Sequence, residues 1–256
     1  MFRRRVRRLV PLLSCGAAVA LLAASTPQAA QAPLPSAREI VDRSITATGG
    51  AAALKAVRSL HLKGTISIRG QNMTGELDVK AARPNKVVSH GSISGIGEFD
   101  EGFDGKVGWT IDPQNGPALV TGKALTQRTA DAWFDAPLHA ADYVKEMTVV
   151  GKETFDQRPA YKVKVVLVAG MEKTEYFDVE TGFMIGAEAT HEMPMGSMPT
   201  REIFRDFKTY GALTMPAQQV ESMLGLEQIV TITSYEFNTV PATAFALPPR
   251  IKALIK

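Results

Sequence analysis

His191, Met193, Met195 and Met198 place one imidazole and three thioethers within eight positions of each other. Soft donors of this kind select Cu(I), so a copper site at these four residues is one reading. The other is a loop between strands, in which flexible methionines fill irregular apolar space. His191-Glu192 opens like a zinc-protease helix, but Met195 stands where the second histidine is required. Glu98, Asp100, Glu101 and Asp104 are acidic, yet their order is not that of a calcium loop, and alternation along a hairpin explains them. Gly95-x-Gly97 is not followed by a helical pattern, which excludes a nucleotide loop. The four histidines (His61, His90, His139, His191) are scattered and form no Ser-His-Asp order. Nothing in these patterns points to catalysis or to a cofactor, so the chain is read as non-enzymatic.

The N-terminus carries addressing information. Five arginines lie within Met1 to Arg8, an uncharged run follows from Leu9 to Ala24, and small residues continue to Ala32. Those three parts make residues 1–32 a signal peptide, with export to the periplasm as the expectation. Cys15, in Leu12-Leu13-Ser14-Cys15-Gly16, offers a second reading as a lipidated cysteine and an outer-membrane lipoprotein. The apolar run ahead of it is short, and the residues after it stay apolar. Taking the five arginines from 29 basic residues leaves 24 against 26 acidic ones, a net charge of −2. A chain with no basic surplus has nothing with which to neutralise phosphates, so nucleic acid is excluded as a partner class. Beyond Cys15 there is no cysteine, so no disulfide frame is available and stability must come from a core.

What remains, residues 33–256, is long enough for one domain. Ser36-x-x-Glu39 is a capping box, and Ala37, Ile40, Val41, Ser44 and Ile45 follow it at helical spacing. Gly49-Gly50 ends that helix, and a second short one is expected over 51–57. From Ser59 the period becomes two. Leu60, Leu62, Ile66 and Ile68 alternate with polar residues, and after a turn at 69–72 so do Met73, Leu77 and Val79. Further strands are predicted over 86–93, 96–103, 107–111, 148–153, 161–168, 173–179, 183–190, 201–210, 216–224 and 227–237. A loop is expected at 112–117, and helices over 123–134 and 138–147 make an insertion at about 122–147. Short connections force antiparallel pairing. A sheet of about eleven strands must curl. The predicted fold is therefore mainly antiparallel β (α+β), a curved incomplete barrel whose concave face is covered by helices.

Several segments carry a resemblance. They are Glu101-Gly102-Phe103-Asp104-Gly105-Lys106-Val107-Gly108-Trp109, with Asp112-Pro113 and Gly116-Pro117, and then Tyr176 to Gly182, Pro194-Met195-Gly196 and Phe245 to Pro249. In these the chain resembles the LolA/LolB-like superfamily of outer-membrane lipoprotein carriers, and more closely its uncharacterised secreted branch. The resemblance implies an acyl chain or another lipid held between sheet and helices, with only transient contact with a membrane. It does not imply the lipoprotein-transfer role itself, and no residue here matches a lid-locking residue of those carriers. The cavity-lining residues expected from the pattern are Leu60, Leu62, Ile66, Leu77, Val79, Trp109, Ile111, Trp133 and Tyr143. The alternative function is a module that docks an envelope protein partner, its groove filled by its own side chains.

Overall fold

The computed structural model describes residues 33–193 and 196–255, so the expected signal peptide and Cys15 lie outside the described residues. Two helices lead in, α1 (Ala37–Ala47) and α2 (Ala51–Ala56). Six strands follow: β1 (Ser59–Ile68), β2 (Met73–Ala82), β3 (Lys86–Ile93), β4 (Gly97–Phe103), β5 (Gly108–Asp112) and β6 (Gly116–Val120). A crossing segment comes next, with α3 (Gly122–Asp131), a 3-10 turn (Ala136–His139) and α4 (Ala140–Tyr143). Seven more strands complete the sheet: β7 (Val144–Phe155), β8 (Arg158–Leu167), β9 (Glu172–Asp178), β10 (Met184–Met193), β11 (Gly196–Tyr210), β12 (Leu213–Met223) and β13 (Leu226–Phe237). A 3-10 turn (Ala242–Phe245) and α5 (Pro249–Lys252) close the described chain.

All thirteen strands belong to one antiparallel sheet in the order β6-β5-β4-β3-β2-β1-β13-β12-β11-β10-β9-β8-β7. The chain starts in the middle, runs out to one edge, crosses, and returns from the other edge until β13 pairs with β1. Sequence reasoning found mainly antiparallel β but fewer strands, because it took 112–117 as loop and passed over β6. Pro117 is tolerated there because β6 is an edge strand, where a missing N–H costs little. The second helix of the insertion is also shorter than expected. Val144 to Met147 extend β7 and pair with Leu167 to Val165, so that helix stops at Tyr143.

The crossing segment proves how far the sheet bends. Gly108 of β5 faces Leu125 of α3, while Gln127 of α3 reaches β10. Eight inter-strand steps separate β5 from β10 in the sheet order, about 38 Å if the sheet were flat at ~4.8 Å per step. The ten residues of α3 span only about 15 Å at 1.5 Å per residue. One short helix touches both strands only if the sheet curls around it. Register shifts at Lys63/Gly64, Val149/Gly151 and Met184/Gly186 supply bulges that sharpen the bend.

Neighbouring side chains on α3 hold the two halves. The Gln127 side chain donates to the Thr190 carbonyl (3.4 Å) and accepts from the Glu192 N–H (2.9 Å). It takes the place of a strand neighbour beyond the end of β9. Arg128 donates to Glu101 of β4 at 2.7 Å.

Three apolar clusters pack on the two faces of the sheet. Ile40, Val41 and Ile45 of α1 pack on Val163 and Val165 of β8 and Phe177 of β9. Ile66, Ile93, Val230 and Ile232 form a second cluster across β1, β3 and β13, and Phe155, Tyr176, Ile185 and Val220 a third. The predicted capping box is present, with Glu39 N–H on the Ser36 hydroxyl (3.3 Å) and Ser36 N–H on the Glu39 carboxylate (2.7 Å). After α1 the backbone passes so close to the β11–β12 turn that a Cβ on Gly49 would lie 2.4 Å from the Ala212 carbonyl oxygen.

Gln127 is 8% exposed, and its removal leaves the Thr190 carbonyl and the Glu192 N–H on β10 without their side-chain partner. Gln127→Ala should lower stability by about 1–3 kcal/mol in chemical denaturation. It should also speed exchange of the Glu192 amide, and unchanged exchange there would discount the contact.

Candidate ligand cavity

A cavity of about 390 Å³ lies between the helices and the concave face of the C-terminal half of the sheet. Val41 and Ile45 of α1 and Leu54 of α2 form one wall. Phe134, Ala140 and Tyr143 of the crossing segment form the roof, and Phe177, Met184, Phe204 and Tyr235 the floor. A second depression, of about 480 Å³, is bordered by Lys63, Glu76, Asp78 and His90 and has no comparable apolar wall.

The roof is tied down by one arginine. Arg83, just past β2, donates from Nε to the Val57 carbonyl (2.8 Å) and from a terminal nitrogen to the Leu54 carbonyl (3.2 Å). Its other terminal nitrogen pairs with Asp135, and its guanidinium lies over the Phe134 ring at 5.5 Å. The His139 Nε2 is 2.9 Å from the same Asp135 oxygen, and its Nδ1 is 3.3 Å from Asp142. Asp135 is 1% exposed, and its Oδ1 has no hydrogen-bond partner. A buried carboxylate so placed depends on its cation.

The cavity also has a polar border. Lys173 and Glu175 of β9 line it and pair at 2.7 Å. Following the register from the α1-facing Val163 gives Glu175, Ala187, Glu202 and Glu221 as one cross-strand row on the concave face. Asp131, at the end of α3, feels Lys173 and His191. Burial works against the Lys173 ammonium, but Glu175, Asp131 and Glu202 outweigh it and raise its pKa. Burial also raises Asp131. Glu202 is pushed up to about 7 by burial and then by Glu221 and Asp131. The Tyr143 phenol is raised by burial, and next by Glu175 and Asp135.

The nine residues read from the sequence fall in three places. Tyr143 lines the cavity, and Trp133 stacks on it with ring centroids 6.3 Å apart. Leu60, Leu62, Ile66, Leu77 and Val79 share the helix-facing side of the N-terminal half, where Ile66 is 2% exposed within its own cluster. Trp109 and Ile111 point the other way. Gly108 faces α3, so its neighbour Trp109 must face outward, where it covers Gly102. The C-terminal 3-10 turn and α5 pack against β3 and β6. Sequence reasoning missed Phe177, Met184, Phe204 and Tyr235, although the alternation in β9 to β13 marked them as one-sided. Of the copper candidates, His191 and Met198 face each other across the β10–β11 ladder. Met195 and the side chain of Met193 lie outside the described residues.

The Glu202 shift has a consequence for stability. Its folded pKa is raised above the ordinary carboxylate value, so folding takes up a proton there. The resulting stabilisation is present below about pH 4.5 and fades as pH rises through about 7. Thermal melts between those limits should show the midpoint falling with pH in the wild type, and Glu202→Gln should flatten that slope. A slope identical in both proteins would contradict the assignment.

No family model matches the chain, and no curated protein matches it. Solved structures do. A LolA superfamily protein (NE2245) from Nitrosomonas europaea superposes with a TM-score of 0.55 at 12% identity, covering 84% of this chain and 99% of that one. A DUF1329 family protein from Desulfovibrio piger superposes with a TM-score of 0.54 at 11% identity, covering 82% and 96%. The curled antiparallel sheet with its helical cover is thus the fold of LolA superfamily proteins.

Proposed function

We propose that this chain is a non-catalytic envelope carrier that holds a lipid-like apolar ligand in the cavity beneath its crossing segment. The observation that carries this reading is a roofed hollow with aromatic and aliphatic walls, left unfilled by the protein's own side chains. Ligand pockets run from about 300 to 1,000 Å³, so about 390 Å³ suits one chain rather than a multi-chain lipid. Each methylene withdrawn from water is worth about 0.8 kcal/mol, so chain length sets affinity before any polar contact forms. A carrier must also release its load. The roof is held by the Arg83 guanidinium, by the Tyr143 carbonyl that accepts from the Val168 N–H (2.8 Å), and by Leu138 and Tyr143 packed on the α1 cluster. Release means parting these contacts, none of which is a ladder hydrogen bond.

The polar groups near the cavity support a binding role. Both nitrogens of His139 face carboxylates, which leaves neither as a free base for a nucleophile. Among the described residues no three His, Cys, Asp or Glu side chains converge to hold a metal ion. No helix among them is long and apolar enough to cross a membrane. The expected export signal would deliver such a carrier to the periplasm.

Native mass spectrometry of the gently purified protein tests the proposal. A single lipid-sized adduct is expected, and it should vanish in Ala140→Trp, which fills the roof. Circular dichroism should show the strands intact in that variant. An unliganded wild type that takes up no added alkyl-chain amphiphile would end the carrier reading, and an adduct surviving in Ala140→Trp would move the site elsewhere. In a separate measurement, Arg83→Met should lower stability by about 3–5 kcal/mol, because it strands the Asp135 charge.

A further inference from the structure

The carrier reading leaves the chemical class of the ligand's head open, and the border of the cavity speaks to it. Apolar residues make most of the wall, but Asp135, Lys173 and Glu175 interrupt it. Beyond the Phe204 and Gln219 pair on the floor, the next pair along the same face is Glu202 and Glu221. Two residues along a strand is about 7 Å, close enough to meet a head attached to a chain lying on Phe204. Asp131 of α3 comes down toward the same place, as its interactions with Lys173 and Glu202 show.

The charges there do not balance. Glu175, Glu202, Glu221 and Asp131 are set against Lys173, with His191 at the margin. Arg128 is committed to Glu101, and Arg83 to Asp135. A second observation is independent of that count: Asp135 lines the cavity, is 1% exposed, and keeps one carboxylate oxygen without any donor. Buried acceptors are normally satisfied, so this oxygen marks a place where a donor is missing. An anionic head would add repulsion to a site already rich in carboxylates. A head that brings N–H donors and a positive charge answers both deficits.

We infer that the occupant is a single-chain amphiphile with a primary ammonium head, its tail on Phe177 and Phe204 and its head toward Asp135, Glu175 and the Glu202–Glu221 pair. This rests on the carrier reading and narrows it. The raised pKa of Glu202, caused first by burial and then by Glu221 and Asp131, agrees with an acidic cluster that Lys173 does not balance. Lys173 alone would not serve a phosphate or carboxylate head, since its ammonium is already engaged by Glu175.

Competition decides the matter. The full chain is loaded with a neutral naphthyl fluorophore near neutral pH, and dodecylammonium, 1-dodecanol and dodecanoate, each below its micelle concentration, are titrated against it. Dodecylammonium should displace the probe at a concentration at least about tenfold below dodecanoate, the equivalent of one ion pair's preference, with dodecanol between them. Glu202→Gln/Glu221→Gln, which leaves the Lys173–Glu175 pair intact, should narrow that gap and leave dodecanol unchanged. Glu202→Gln alone serves if the double variant does not fold. Dodecanoate binding as tightly as dodecylammonium would overturn the head-group assignment while the carrier reading stands. Failure of all three amphiphiles to bind would overturn both.

Discussion

The two edges of this sheet are consecutive in the chain, and that constraint organises the rest of the molecule. β6 and β7 lie at opposite ends of thirteen strands, yet only the crossing segment separates them in sequence. Folded as helices, that connection is too short to span a flat sheet, so the sheet curls and the connection lies across its hollow side. Curvature, helical cover and cavity are therefore one event. Gln127 and Arg128 fix the result by binding strands that lie far apart in sheet order.

Physical separation of roles follows. The part of the crossing segment nearest α3 holds the sheet together, and the part from Trp133 to Tyr143 roofs the cavity. The first is anchored to ladders by side-chain hydrogen bonds. The second is anchored through Arg83, which draws on the carbonyls of Leu54 and Val57 and on Asp135, and through the Tyr143 carbonyl, which accepts from the Val168 N–H. A sheet with its own clusters on both faces needs no ligand to stay folded. In the carrier proposed above, loss of the ligand would then leave the sheet in place.

Much of this architecture was legible in the sequence, for identifiable reasons. The capping box at Ser36 and Glu39 and the period-two run from Leu60 are local signals, and local signals survive in a single chain. β6 was hidden because Gly116-Pro117 reads as a turn, and only its place at an edge makes the proline acceptable. The cavity was harder. Alternation told which residues of a strand share a side, but not which half of the curled sheet the crossing segment would roof. Leu62 and Phe204 are equivalent by pattern, yet one packs in a filled cluster and the other floors the hollow. Trp109 went astray for a related reason. Trp109 is buried at 4% exposure on the side away from α3, so a buried tryptophan need not face inward.

An unclosed sheet has two raw margins, and this one has blunted both. Pro117 removes an amide donor from β6. β7 is broken by irregularities at Val144/Glu146 and Val149/Gly151 and shows Lys145, Glu146, Lys152 and Glu153 to solvent. Such borders are poor templates for a neighbour's strand. The sheet can thus stay unclosed without inviting the end-to-end growth that would turn it into fibre.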